Sequence, residues 1–279
     1  MNGRIGIMQG RLSPRPPDRL QAFPHGSWQK EFGIAAHLGF AAIEWILEAP
    51  RAEENPLLSA EGRAEIRRVS AASGVAVRSI CADYFMVHRL AGDGEVATHK
   101  NRRAFLEMLD AAHEIGAERI LVPLLETSAV DTPELRAEVR ESLAAVAEHA
   151  AARGIVLGLE MEIAGPEYRA LIDSVGSPAV RAYYDVGNST AQGFDVATDV
   201  LPLLDVLHAV HLKDRRRGGS SVPLGTGDTN FSGFFRVLTR HDFRGDLLLQ
   251  HFFDGDPEGA ARAALATVQA LLDEAEVGS

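Results

Sequence analysis

Short apolar runs of five to eight residues recur along the chain, separated by longer stretches in which apolar residues return every three or four positions. The short runs, at 4–8, 41–47, 75–82, 119–125, 155–161, 180–186, 207–213 and 246–252, are the continuous kind expected of strands covered on both faces. The longer stretches predict helices over 27–39, 60–73, 97–116, 133–153, 166–175, 195–205, 231–241 and 258–275. Thr132 before Pro133 marks one helix start, because Pro at the first helical position lacks only an N–H that has no partner there. Gly39, Gly74, Gly116, Gly154 and Gly176 fall where five helices should end, the place for a left-handed residue.

Eight strand-then-helix units in 279 residues predict an α/β fold of the (β/α)8 barrel type, with 1–279 as a single domain. An open doubly wound sheet is the rival. It usually carries a Gly-rich phosphate turn after its first strand, and "MQGRLSPRPPDR" has none.

Within the runs, alternation gives each side chain a direction. Glu160 opposes Leu159, Asp185 opposes Tyr184, His211 opposes Leu212 and Gln250 opposes Leu249, so strands five to eight each end on one inward polar group. In a barrel these ends meet at the C-terminal mouth. Two acids, an imidazole and an amide oxygen form an oxygen-rich set suited to one divalent metal. Mn²⁺ fits best; Mg²⁺, Co²⁺ and Zn²⁺ are also compatible. Burying the two acids together without a cation would be costly.

Composition narrows the partners. Net charge is −11, and the only dense basic run is Arg215 to Arg217, too short to follow a nucleic-acid backbone. Cys81 is the sole cysteine, which excludes an internal disulfide and a cysteine-built zinc site. No apolar run is long enough for a membrane span and the first residues lack a secretion-type apolar segment, so a cytoplasmic protein is expected.

"GLEMEIAG", "YYDVGN", "HLKDRRRGGSSVPLGTGDTNF" and "LLLQHF" resemble, in order and spacing, the xylose-isomerase-like barrels, and among them the L-ribulose-5-phosphate 3-epimerase type. "IGIMQGRLSP", "FGIAAHLGFAAIEWILE" and "SICADYF" extend the similarity over nearly the whole chain. The resemblance implies one divalent metal on Glu160, Asp185, His211 and the position of Gln250, and an isomerase or epimerase acting on a small ketose or sugar phosphate. It also implies that Glu160 and the residue at 250 are the two acid–base groups, with the metal stabilising an enediolate.

In that family position 250 is usually a glutamate. Gln250 keeps an oxygen for a metal but cannot act as a base, so a two-base reaction needs another carboxylate. Glu162 and Asp214 are the candidates. A one-base 1,2-isomerisation, a metal-assisted elimination by a dehydratase or lyase, and a barrel that binds carbohydrate without catalysis are the alternatives. A nuclease of the same barrel type would need more metal ligands and a basic face.

Further residues expected at the mouth, against substrate, are Gln9, Arg11, Glu44, Trp45, His88, Glu126, Glu162, Asn188, Lys213 and Arg217. His37, His113 and His149 fall within helices and are read as surface or packing groups. A homodimer is expected on family grounds, with "LPLLDVL" and "FFRVL" as candidate contacts unless both face the barrel.

Overall fold

The computed structural model describes residues 4–17, 19 and 21–277. The strands are β1 (Ile5–Met8), β2 (Ala42–Ile46), β3 (Ala76–Cys81), β4 (Arg119–Leu124), β5 (Val156–Met161), β6 (Val180–Asp185), β7 (Leu207–Leu212), a small hairpin β8 (Asp214–Arg215) and β9 (Ser221–Val222), and β10 (Asp246–Leu249). All but the hairpin form a closed barrel of parallel strands in the order β1-β10-β7-β6-β5-β4-β3-β2. The helices are α1 (Trp28–Leu38), α2 (Ala60–Ser73), α3 (Tyr84–Val87), α4 (Glu95–Glu114), α5 (Pro133–Ala152), α6 (Gly165–Val175), α7 (Val186–Ala191), α8 (Val196–Asp199), α9 (Phe231–Arg240) and α10 (Pro257–Val277).

The eight predicted strands are those of the barrel. The helix predicted over 195–205 is instead α8 followed by a 3-10 turn at Leu201–Leu203, since Pro202 withholds an N–H that a continuous helix would use. Thr132 accepts from the Leu135 N–H as α5 begins, and Gly39, Gly74 and Gly176 take left-handed conformations at the ends of α1, α2 and α6. The "FFRVL" run belongs to the core, with Phe234, Phe235 and Leu238 wholly buried, and Leu203 of "LPLLDVL" is buried too.

Inside the barrel a small apolar layer of Met8, Ile46, Cys81, Leu121, Tyr183, Ala209 and Leu248 separates the two ends. Tyr183 reaches across this layer because Gly158 faces it; a Cβ on Gly158 would lie 2.8 Å from the Tyr183 ring. At the N-terminal end, Asp246 accepts from Arg119 at 2.7 Å and from Arg4 and Arg78 at 3.0 Å each. Burial works against the Asp246 charge, but the surrounding guanidinium groups outweigh it and keep the carboxyl below the ordinary aspartate range. The polar groups at the opposite, C-terminal end form the site.

Candidate active site

β5, β6 and β7 end side by side and bring Glu160, Asp185 and His211 together, with one donor atom from each lying within 4.8 Å of the others. All three are buried. His211 Nδ1 stands 3.6 Å from Glu160 and 3.7 Å from Asp185, too far for hydrogen bonds, and is left without a partner. Its other nitrogen, Nε2, is 2.5 Å from Glu44 Oε2. Glu44 in turn accepts from Ser79 at 2.5 Å and from the Tyr183 hydroxyl at 2.6 Å. The imidazole is therefore fixed in orientation with Nδ1 turned to the two acids, the arrangement that holds metal-binding histidines.

Asp185 ends β6 and caps α7. Its Oδ1 accepts from the Asn188 N–H at 2.8 Å, while Oδ2 lies 2.9 Å from Lys213 Nζ. Burial would raise this carboxyl, yet Lys213 and His211 hold it below the usual range. Glu160 behaves oppositely: burial, aided by the charge of Asp185, lifts it above the usual glutamate value despite His211. For His211 burial favours the neutral ring, and Glu44, Asp185 and Glu160 together reverse this and raise it. Asn188 joins the group by donating to Glu160 at 3.2 Å and accepting from Arg215 at 2.9 Å.

Above the triad opens a cavity of about 390 Å³, lined by Glu160, Asn188, Lys213, Gln250, Arg11 and Glu126 among others. Gln250 follows β10 directly, and its Oε1 is buried and unpartnered. The donor set fits a divalent metal: an orphaned imidazole nitrogen and an orphaned amide oxygen accompany the Glu160 carboxylate and the Asp185 Oδ2 that faces Lys213.

Several residues expected at the mouth lie elsewhere. Trp45 follows Glu44 and so points outward, packing on Phe23 and Trp28 with its indole N–H on Asn55. Glu44 is wholly buried on His211, away from the cavity lining. Gln9 is buried, its Oε1 accepting from the Ile46 N–H. His88 stacks on Tyr84 at 4.2 Å, and exposed Arg217 is held through its backbone by Asp228; neither lines the cavity. The strand carrying Glu160 stops at Met161, so Glu162 turns off its face and lies 3.7 Å from Arg215. Asp214 is buried and accepts the N–H groups of Gly225, Gly227 and Thr229, which makes it the organiser of a loop.

Gln21, Asp83, Arg215, Ser220 and Ser221 add further polar groups to the lining. Arg215 lies in the hairpin after β7 and Asp83 in the turn that opens α3, both past the strand residues whose direction alternation gives. Gln21 lies in the long connection after β1 and carries no such signal.

The sequence pattern of the xylose isomerase-like TIM barrel matches residues 32–271. The chain belongs to the xylose isomerase-like TIM-barrel family. Among relatives, a putative L-ribulose-5-phosphate 3-epimerase, SgbU of Escherichia coli (strain K12), is 26% identical over 88% of this chain and 89% of its own. A 2-epi-5-epi-valiolone 7-phosphate 2-epimerase of Actinoplanes sp. (strain ATCC 31044 / CBS 674.73 / SE50/110) is 28% identical over 86% and 82%. The solved structure of an L-ribulose 3-epimerase superposes with a TM-score of 0.79 at 19% identity, covering 99% of this chain and 96% of that one. In this family member the described helices include none long and apolar enough to cross a membrane.

Proposed function

We propose that this protein is a divalent-metal-dependent isomerase or epimerase of a small ketose or ketose phosphate. The observation that carries the proposal is the convergence of Glu160, Asp185 and His211 on one point, with the buried His211 Nδ1 unpartnered there. The relatives named as epimerases of sugar phosphates and of a cyclitol phosphate support the reaction class.

Glu160, Asp185 and His211 would hold the ion, with Gln250 Oε1 as a fourth donor. The oxygen-rich set favours manganese. A bound cation would supply positive charge to the substrate oxygens as the carbonyl becomes an enediolate. Glu160, raised by burial, takes the proton from the carbon beside the carbonyl. Lys213, Arg11 and Arg215 bring positive charge to the cavity wall and orient a polyhydroxylated or phosphorylated substrate.

The test is elemental analysis of protein purified without chelators, followed by a panel of ketoses in D2O. About one equivalent of metal, lost in Asp185→Ala, together with deuterium entering a ketose, is the expected result. Protein that takes up no Mn²⁺ or Mg²⁺ and labels no ketose overturns the proposal. We also propose a homodimer, to be read by light scattering, and a cytoplasmic location.

A further inference from the structure

Gln250 lacks the carboxylate that a second proton transfer requires, and neither Glu162 nor Asp214 supplies it from within the cavity lining. Asp83 does stand in that lining. It follows β3 in the turn that opens α3, and its carboxyl is held at both oxygens: the Cys81 thiol donates to Oδ1 at 3.1 Å and the Gln21 amide donates to Oδ2 at 2.5 Å.

A directed chain of hydrogen bonds ties Asp83 to Gln250. Arg11 is a donor at every nitrogen, so the Gln21 oxygen must face it, and Arg11 Nη2 lies 3.2 Å from Gln21 Oε1. That same oxygen accepts from Gln250 Nε2 at 2.9 Å. Gln21 therefore presents its NH₂ to Asp83, and Gln250 presents its oxygen away from Gln21. The chain suits an amide at 250 and an acid at 83. A glutamate at 250 would set its carboxylate against the Gln21 oxygen, and flipping Gln21 would then turn its oxygen onto Asp83 and away from Arg11.

On this geometry, and on the proposed function, we infer that Asp83 is the second acid–base residue, taking over from the third strand the carboxylate that the last strand lacks. Glu160 removes the proton from the carbon beside the carbonyl, and the C–H electron pair becomes the enediolate double bond while the carbonyl oxygen takes the charge. Asp83 then delivers its carboxyl proton to the other face of the same carbon. The carbonyl re-forms, leaving Glu160 protonated and Asp83 ionised, and solvent exchange restores the pair. Burial raises the Asp83 carboxyl above the ordinary aspartate value, consistent with a group that carries a proton to give.

The test uses manganese-loaded protein with L-ribulose 5-phosphate and D-fructose as probes in D2O, reading epimer formation and deuterium in recovered substrate separately. Asp83→Asn is expected to lower epimer formation about 100-fold or more. Its metal content and the Glu160-driven exchange into recovered substrate should persist. The double variant Asp83→Asn with Gln250→Glu moves the acid back to the last strand, and should regain at least about ten-fold over Asp83→Asn alone. Epimer formation by Asp83→Asn at the unsubstituted rate overturns the assignment, as does a parallel loss of exchange and epimerisation, which would mark Asp83 as a binding or structural group. If Asp83→Asn does not fold, the same readouts on the double variant decide: epimer formation supports the assignment and exchange without it overturns it. An unsubstituted protein that labels neither sugar sinks the proposed function itself, and this assignment with it.

Discussion

Glu44 contacts no cavity space, yet it determines how the cavity floor can work. Its two oxygens take three donors, from His211, Ser79 and Tyr183, so removing its charge should loosen the His211 ring. Glu44→Gln is expected to weaken Mn²⁺ affinity about 10- to 100-fold, measured by calorimetric titration, with the fold intact. Glu31 also acts from outside the cavity lining. It lies buried on α1 and accepts from the N–H groups of Gly10 and Leu12, bracing the connection that carries Arg11 and Gln21. Burial pushes the Glu31 carboxyl up to about 7, against a usual value of 4.5. The folded protein thus holds this proton more tightly than the unfolded chain, and the stability it contributes is full below about pH 4.5 and lost as pH rises through about 7. That amounts to about 3 kcal/mol across the window. In Glu31→Gln this loss should vanish, flattening the urea midpoint against pH relative to the unsubstituted protein. Sequence alternation placed Glu160, Asp185 and His211 correctly on the inner face, because strand direction is a local property. It could not separate Glu44, which turns to a neighbouring histidine, from a substrate contact, nor find Gln21, whose position depends on how a long connection folds back.

At the level of elements, the passage from β6 into α7 needs no intervening loop, because one side chain serves both. Asp185 ends the strand inward and its Oδ1 caps the helix, so the other oxygen is the one turned to the triad and to Lys213. Sequence reading placed the next helix at 195–205 and missed α7, which is one and a half turns long and too short to show a helical period. The boundaries of the capped helices were legible, because Pro133 and the closing glycines restrict the backbone directly, whereas the last strand, read as 246–252, ends at Leu249. Register across the barrel depends on smaller features. Gly158→Ala would place a methyl group against Tyr183, at a cost of about 1–3 kcal/mol by overpacking. It should also lower metal affinity, because displaced Tyr183 no longer donates to Glu44. Chemical denaturation and metal titration on the same variant read both effects.

For the whole molecule, the two ends of the barrel have opposite chemistry. The N-terminal end is closed by Asp246 among three arginines, a buried carboxylate whose charge is met by their guanidinium groups. Asp246→Ala leaves the buried Arg119 with only the half-exposed Glu118 at 3.6 Å, and should destabilise the fold by about 3–5 kcal/mol in urea titration while sparing the metal site. Closure of eight strands was readable from their number, because a parallel sheet of that count with intervening helices has few ways to hide its edges. The ion cluster was not, since Arg4, Arg78, Arg119 and Asp246 are scattered over the chain and only closure brings them together.

The polar mouth is also divided by ancestry along the chain. The triad and Gln250 come from β5 onward, whereas Arg11, Gln21 and Asp83 follow β1 and β3, and two stitches join the halves at the mouth: Glu44 through its bonds to His211 and Tyr183, and Gln21 through its bond from Gln250. A change of sugar preference can therefore be written into the amino-terminal half while the ion stays where it is, so long as both stitches are kept. Chimaeras joined between α4 and β4, with Glu44 and Gln21 retained, are the natural place to look for new substrates on an old metal site.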